Sequence, residues 1–176
     1  FLLSISVGAL LYAFVTHDFS VKYVAENSNL AMQTQYTWVA FYAGNAGSLL
    51  FIALTFSCVA ALAIWSISKR LPDITPYSTM LMATVVVFFL GIMVFLSNPL
   101  ERLLTPLPDG QGINPLLVHF GMFIHPPMQM IGLVSVAIPF SIGLGALLSN
   151  RGGVDDWVDL GRIWGMISWL ILTIGL

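Results

Sequence analysis

Residues 48–68 read SLLFIALTFSCVAALAIWSIS, 21 positions without an acidic or basic side chain, a proline or a glycine. Wound as an α-helix at about 1.5 Å per residue, such a run covers the roughly 30 Å of hydrocarbon in a bilayer. It lacks the alternating polar face of a barrel strand. Residues 1–16, 78–96, 128–148 and 161–176 form four more apolar runs. Lipid offers the backbone no hydrogen-bond partners, so each run is expected to satisfy its own as a helix. The expected fold is all-α: a polytopic transmembrane helical bundle of about five membrane spans, one domain over residues 1–176 seated in the lipid bilayer. Composition agrees, with 58% hydrophobic and 8% charged residues against roughly 25% charged in soluble domains.

The connections alternate in length, with residues 69–77 and 149–160 short and residues 17–47 and 97–127 long. The short ones carry Lys69, Arg70 and Arg151, with Arg162 just inside the next helix, whereas the long ones carry only Lys22 and Arg102. The positive-inside rule then puts the short connections in the cytoplasm and both long loops on the outer side of the cytoplasmic (inner) membrane. Arg162 is the one ionisable group within the spans, so no ion or proton path is expected through them. Six basic residues, scattered in a chain of net charge −2, give no footprint for nucleic acid. The lone cysteine, Cys58, excludes an internal disulfide or dithiol centre, and with only three histidines a structural zinc site lacks ligands. The chain opens on Phe1 inside an apolar run with no leader or cleavage signal, so it is expected to be a fragment of a longer chain.

Local chemistry marks several other positions. In the run at 128–148, Pro139 is expected to kink the helix, and Ser141 with Gly145 forms a small-x-x-x-small pair suited to close packing. Gly44 and Gly47 precede Ser48, a candidate N-cap; the glycines suit close approach by a backbone or a flat ligand, and a simple turn explains them equally. Tyr36, Trp38, Phe41 and Tyr42 fit an interfacial aromatic belt, with a cofactor-stacking face as the alternative.

The second long loop holds the strongest candidate. Asn114 before Pro115 predicts the start of a short helix, and His125 before Pro126 and Pro127 predicts a break followed by a membrane helix. An imidazole there sits at the positive end of a helix, which favours its neutral, iron-ligating form. The alternative is an ordinary hydrogen-bonding histidine. His119, six residues earlier, would lie about 120° away on a continuous helix, and His17 beside Asp18 suits a solvated interfacial role.

These stretches, in this order, resemble CcmF-type haem lyases. The segment from His17 to Asn29, HDFSVKYVAENSN, looks like the family's outward loop ending in Asn-Ser-Asn. Gly44 to Leu50 resembles its glycine-rich approach to the next helix, Ser97-Asn98-Pro99 its third-helix exit, and Asn114 to Leu117 with His125-Pro126-Pro127 its second outer loop. The resemblance implies a part in attaching haem to the Cys-x-x-Cys-His sequence of apocytochrome c, with a haem chaperone and other maturation proteins as partners. It implies that His125 is the axial ligand of haem iron at the outer face, and assigns no ligand to His119. The family's tryptophan-rich haem-presenting loop is not reproduced by Trp157, Trp164 and Trp169, so residues 1–176 are not expected to be competent alone. A haem-free structural subunit of a larger membrane complex and a haem exporter are the competing readings.

Overall fold

A computed structural model describes residues 1–150 and 155–176. Among these residues the regular structure is helical, apart from an isolated antiparallel bridge between Val21 and Arg102. In chain order the α-helices are α1 (Leu2–Val15), α2 (Lys22–Asn27), α3 (Thr37–Ala43), α4 (Asn45–Arg70), α5 (Thr75–Phe95), α6 (His125–Ser135), α7 (Ala137–Leu148) and α8 (Asp156–Ile174). Short 3₁₀ turns occupy Thr34–Tyr36, Pro115–Leu117 and Phe120–Phe123. Arg151, expected in a short loop, lies outside the described residues.

Among the described residues, four stretches are long and apolar enough to cross a membrane: Asn45–Arg70, Thr75–Phe95, Phe120–Leu148 and Asp156–Ile174. The first apolar run gives only the 14-residue α1, about 21 Å at the helical rise. Its end is a Schellman motif: His17 takes φ 52°, its N–H reaches the Phe14 carbonyl at 3.3 Å, and the Asp18 N–H reaches the Ala13 carbonyl at 2.9 Å. The other helices begin earlier than the apolar runs suggest, at Asn45, Thr75 and Asp156. Hydropathy registers the apolar middle of a span and misses a polar first turn. In α8 that turn carries Asp156 and Asp159, where the helix dipole favours negative charge.

Pro139 acts upstream of itself. It has no N–H for the carbonyl four residues back, and its ring crowds that carbonyl. The helix accordingly parts between Ser135 and Ala137, where Val136 donates instead to the Leu133 carbonyl at 3.3 Å.

The described chain forms two compact units, Phe1–Leu54 with Phe89–Phe123, and Thr55–Phe88 with Ile124–Leu176. In the first, the two long connections are laced together. Lys22 N–H donates to the Glu101 carbonyl at 2.9 Å, Leu103 N–H to Ser20 at 2.8 Å, and Gln111 N–H to Ala25 at 2.7 Å. The Asp109 carboxylate accepts from Leu30 N–H at 2.9 Å. Gly110 is tucked so close that a Cβ there would stand 2.0 Å from the Ser28 carbonyl oxygen, which requires glycine.

The second unit is packed by apolar side chains: Phe56, Ala60, Ala63, Ile67, Met82, Ile138, Ile142, Leu160 and Trp164 form one buried cluster. Gly145 lets α7 approach α5 until a Cβ would lie 2.5 Å from Ser78 Oγ, and that hydroxyl donates to the Ser141 carbonyl at 3.1 Å. The small pair thus packs against Ser78. Facing outward, Phe88 is 61% and Trp169 66% exposed. Large apolar side chains left open on long apolar helices suit a hydrocarbon solvent.

Candidate functional site

His125 is the first residue of α6, after Ile124. Pro126 and Pro127 fill the next two positions, where a helix N–H would have no internal partner anyway. The sequence thus fixes where the helix begins and leaves the imidazole at its rim, exposed. Its Nδ1 meets the Gly175 carbonyl at the end of α8. A carbonyl can only accept, so in the neutral ring Nδ1 carries the proton and Nε2 holds a free lone pair. Metal-bound histidines characteristically donate their other ring N–H to a carbonyl or carboxylate, which fixes the tautomer and strengthens the ligand.

His119 has the opposite arrangement. Its Nδ1 accepts from the Gly121 N–H at 3.0 Å, so in the neutral ring the proton sits on Nε2. No continuous helix joins the two histidines. Asn114 does cap, its side-chain oxygen accepting from Leu116 N–H at 3.0 Å, but only a 3₁₀ turn follows, and Val118 with ψ 69° ends it. A second 3₁₀ turn covers Phe120–Phe123. The tautomers, and not an angle around a helix, separate His119 from His125. His17 is half-buried: its Nδ1 is buried without a hydrogen-bond partner among the described residues, and its ring centroid lies 6.0 Å from that of Phe19.

Among the described residues no three His, Cys, Asp or Glu side chains gather as a metal centre. A single imidazole with a free Nε2 is nonetheless the donor set a haem needs, since the macrocycle brings its own four nitrogens and asks the protein for an axial ligand. The residues present fit that group.

No family model matches the chain. It is 37% identical over 171 residues to the cytochrome c-type biogenesis protein CcmF of Pseudomonas fluorescens, covering 96% of this chain and 26% of that protein. Against CcmF of Escherichia coli the identity is also 37% over 171 residues, with 95% and 26% covered. Against NrfE of Haemophilus influenzae it is 34% over 175 residues, with 98% and 27% covered. The solved structure of the cytochrome c haem lyase CcmF matches with a TM-score of 0.78 at 27% identity, covering 98% of this chain and 26% of that one. The chain is a CcmF/NrfE-type segment. It spans about a quarter of the length of the relatives it matches.

The remaining motifs of this CcmF-type segment are structural. The close approach allowed by Gly44 and Gly47 is taken by the chain's own Tyr23, whose Cε2 would be 2.9 Å from a Cβ at Gly44 and whose Oη would be 2.6 Å from one at Gly47. The Tyr23 hydroxyl accepts from Gly44 N–H at 2.9 Å and lies 3.2 Å from the Phe41 carbonyl. Burial pushes its pKa up to about 12. No room for a flat ligand remains there.

Ser48 is not the N-cap of α4; it lies within the first turn and its hydroxyl donates to the Tyr42 carbonyl at 2.8 Å. Phe41 and Tyr42 are buried and pack with Trp38 and Phe51 in an aromatic knot, which takes these two out of the expected belt, while Trp38 stays exposed. The Tyr42 hydroxyl donates to the Met122 carbonyl at 2.7 Å. Tyr23, which sequence reading passed over, therefore ties the first long loop to itself, and Tyr42, read there only as an aromatic of the belt, ties that loop to the second. Their partners are backbone carbonyls far along the chain, which leave no side-chain signal.

Proposed function

We propose that this segment serves cytochrome c maturation by holding the iron of its substrate haem through His125 Nε2 at the outer face of the cytoplasmic membrane. The carrying observation is the Nδ1 contact with the Gly175 carbonyl, which leaves Nε2 as the ligating nitrogen. The positive end of α6, beside the same imidazole, suits the anionic propionates. Haem contributes its iron and vinyl groups. The chain contributes orientation, presenting one face of the macrocycle to the thiols of an apocytochrome c. In thioether formation each S–H bond breaks as a C–S and a C–H bond form across a vinyl double bond, with no leaving group to discharge.

The outward assignment is supported by the lacing of the two long connections to each other and by the basic pair Lys69 and Arg70 in the last turn of α4, which opens a short connection. Delivery by a haem chaperone and treatment of residues 1–176 as one membrane domain belong to the same proposal.

The test is cytochrome c maturation by the intact protein carrying His125→Ala or His119→Ala, read as haem-stained cytochrome at matched abundance. His125→Ala should lose maturation and regain part of it with added imidazole. His119→Ala should stay near the wild-type level. Normal maturation by His125→Ala would end the ligand assignment, and a haem-free scaffold would then be the better reading.

A further inference from the structure

The contact that sets the His125 tautomer is made by backbone, and two glycines make that backbone approach possible. A Cβ on Gly132 of α6 would stand 2.7 Å from the Leu172 nitrogen and 3.0 Å from its Cα. A Cβ on Gly175 would stand 2.8 Å from the Gln129 nitrogen and 3.1 Å from Met128 Cβ. The two helices therefore touch, antiparallel, at two points one turn apart, each limited by main-chain atoms that cannot rotate away. Gly161 and Gly165 lie on the same α8 and have nothing within 4 Å of a Cβ position. The close approach belongs to the end of α8 and not to its glycines in general.

We propose that Gly175, supported by Gly132, is a positioning residue for His125. The proposal rests on reading His125 as the iron ligand. The Gly175 N–H donates to the Ile171 and Leu172 carbonyls at 3.2 and 3.0 Å, closing the helix. The Gly175 carbonyl receives Nδ1–H. It holds the ring in one tautomer and raises electron donation from Nε2. A methyl at position 175 must push the end of α8 off α6 and draw the carbonyl away from the imidazole.

The experiment uses the intact protein purified from membranes, with hemin as the probe. Gly175→Ala and Gly132→Ala are compared with Gly165→Ala and His125→Ala. Two quantities are read beside abundance: hemin affinity, and the iron–imidazole stretching band of the ferrous state, which falls when the ligand's Nδ1 hydrogen bond weakens. Gly175→Ala is expected to lower the band and to weaken hemin binding about 10- to 100-fold, the usual cost of losing an outer partner of a metal-bound histidine. Added imidazole should restore ligation, which it would not do for an unfolded protein. Gly132→Ala should shift the band in the same direction by less, and it carries the test if Gly175→Ala does not accumulate. Gly165→Ala should match wild type. A wild-type band and affinity in both Gly175→Ala and Gly132→Ala, with both lost in His125→Ala, would overturn the positioning role and leave the ligand standing. Unchanged affinity and band in His125→Ala would instead overturn the ligand reading, and the positioning role with it.

Discussion

The laced loops and the α6–α8 corner each contain a histidine from the second long connection, and they use it in opposite ways. In the loops, with the exception of His17 Nδ1, the polar groups already described are paired internally. His119 accepts from Gly121, Tyr42 is bound to the Met122 carbonyl, and the Asp18 carboxylate accepts from Ser20 N–H at 3.1 Å. The Ser20 hydroxyl beside Asp18 holds that carboxyl below its usual range. At the corner, His125 is bound on one nitrogen only and leaves the other open. A satisfied network fixes shape, whereas a half-satisfied ring on a fixed frame has a lone pair to offer. Residues of the loops should thus act through folding, and the residue of the corner through ligation.

Tyr23→Ala should have the largest effect on folding. It empties the niche between Gly44 and Gly47 and removes a ring packed edge-on to Phe14 at 5.9 Å, a class of change that costs about 3–5 kcal/mol. The intact protein should fall in abundance, and added imidazole should not restore maturation, in contrast to His125→Ala. Wild-type abundance of Tyr23→Ala would break the comparison.

Tyr42→Phe leaves the Met122 carbonyl short of a donor, at a cost of about 1–3 kcal/mol, measured as thermal stability in detergent. Burial pushes the Tyr42 pKa from 10.0 up to about 12. The folded value lies above the unfolded one, so the hydroxyl's contribution should be complete below pH 10 and fade between about pH 10 and 12. The gap between wild type and Tyr42→Phe should accordingly stay constant through neutral pH and shrink in that alkaline window. Lys22→Ala should matter least. Its ammonium lies 3.2 Å from Glu101 with both side chains exposed, an arrangement worth about 0–1 kcal/mol and screened by salt. A larger loss, insensitive to salt, would mean that the pair carries more of the lacing than its exposure allows.

Much of the fold was legible because a bilayer admits few solutions. Uncharged runs the length of a membrane had to be helices, and Pro126-Pro127 had to open one. The polar first turns at Asn45, Thr75 and Asp156 were missed because hydropathy averages over the middle of a span. At the candidate site, the place of His125 at the start of a helix was legible from its prolines, and the tautomer was not. It depends on the Gly175 carbonyl 50 residues away, and backbone acceptors leave no trace in residue identity. The glycine motif at Gly44 was visible, but its occupant was not, since an aromatic ring and a flat ligand ask the same of a backbone.

The axial-ligand spectrum of the intact protein tests the central claim most directly. Haem-loaded wild type, His125→Ala and His119→Ala are compared as difference spectra, with and without added imidazole. The expected result is an imidazole-ligated component at the outer site that is missing in His125→Ala, returns with free imidazole, and persists in His119→Ala. A difference spectrum between wild type and His125→Ala that shows no change in ligation would contradict it.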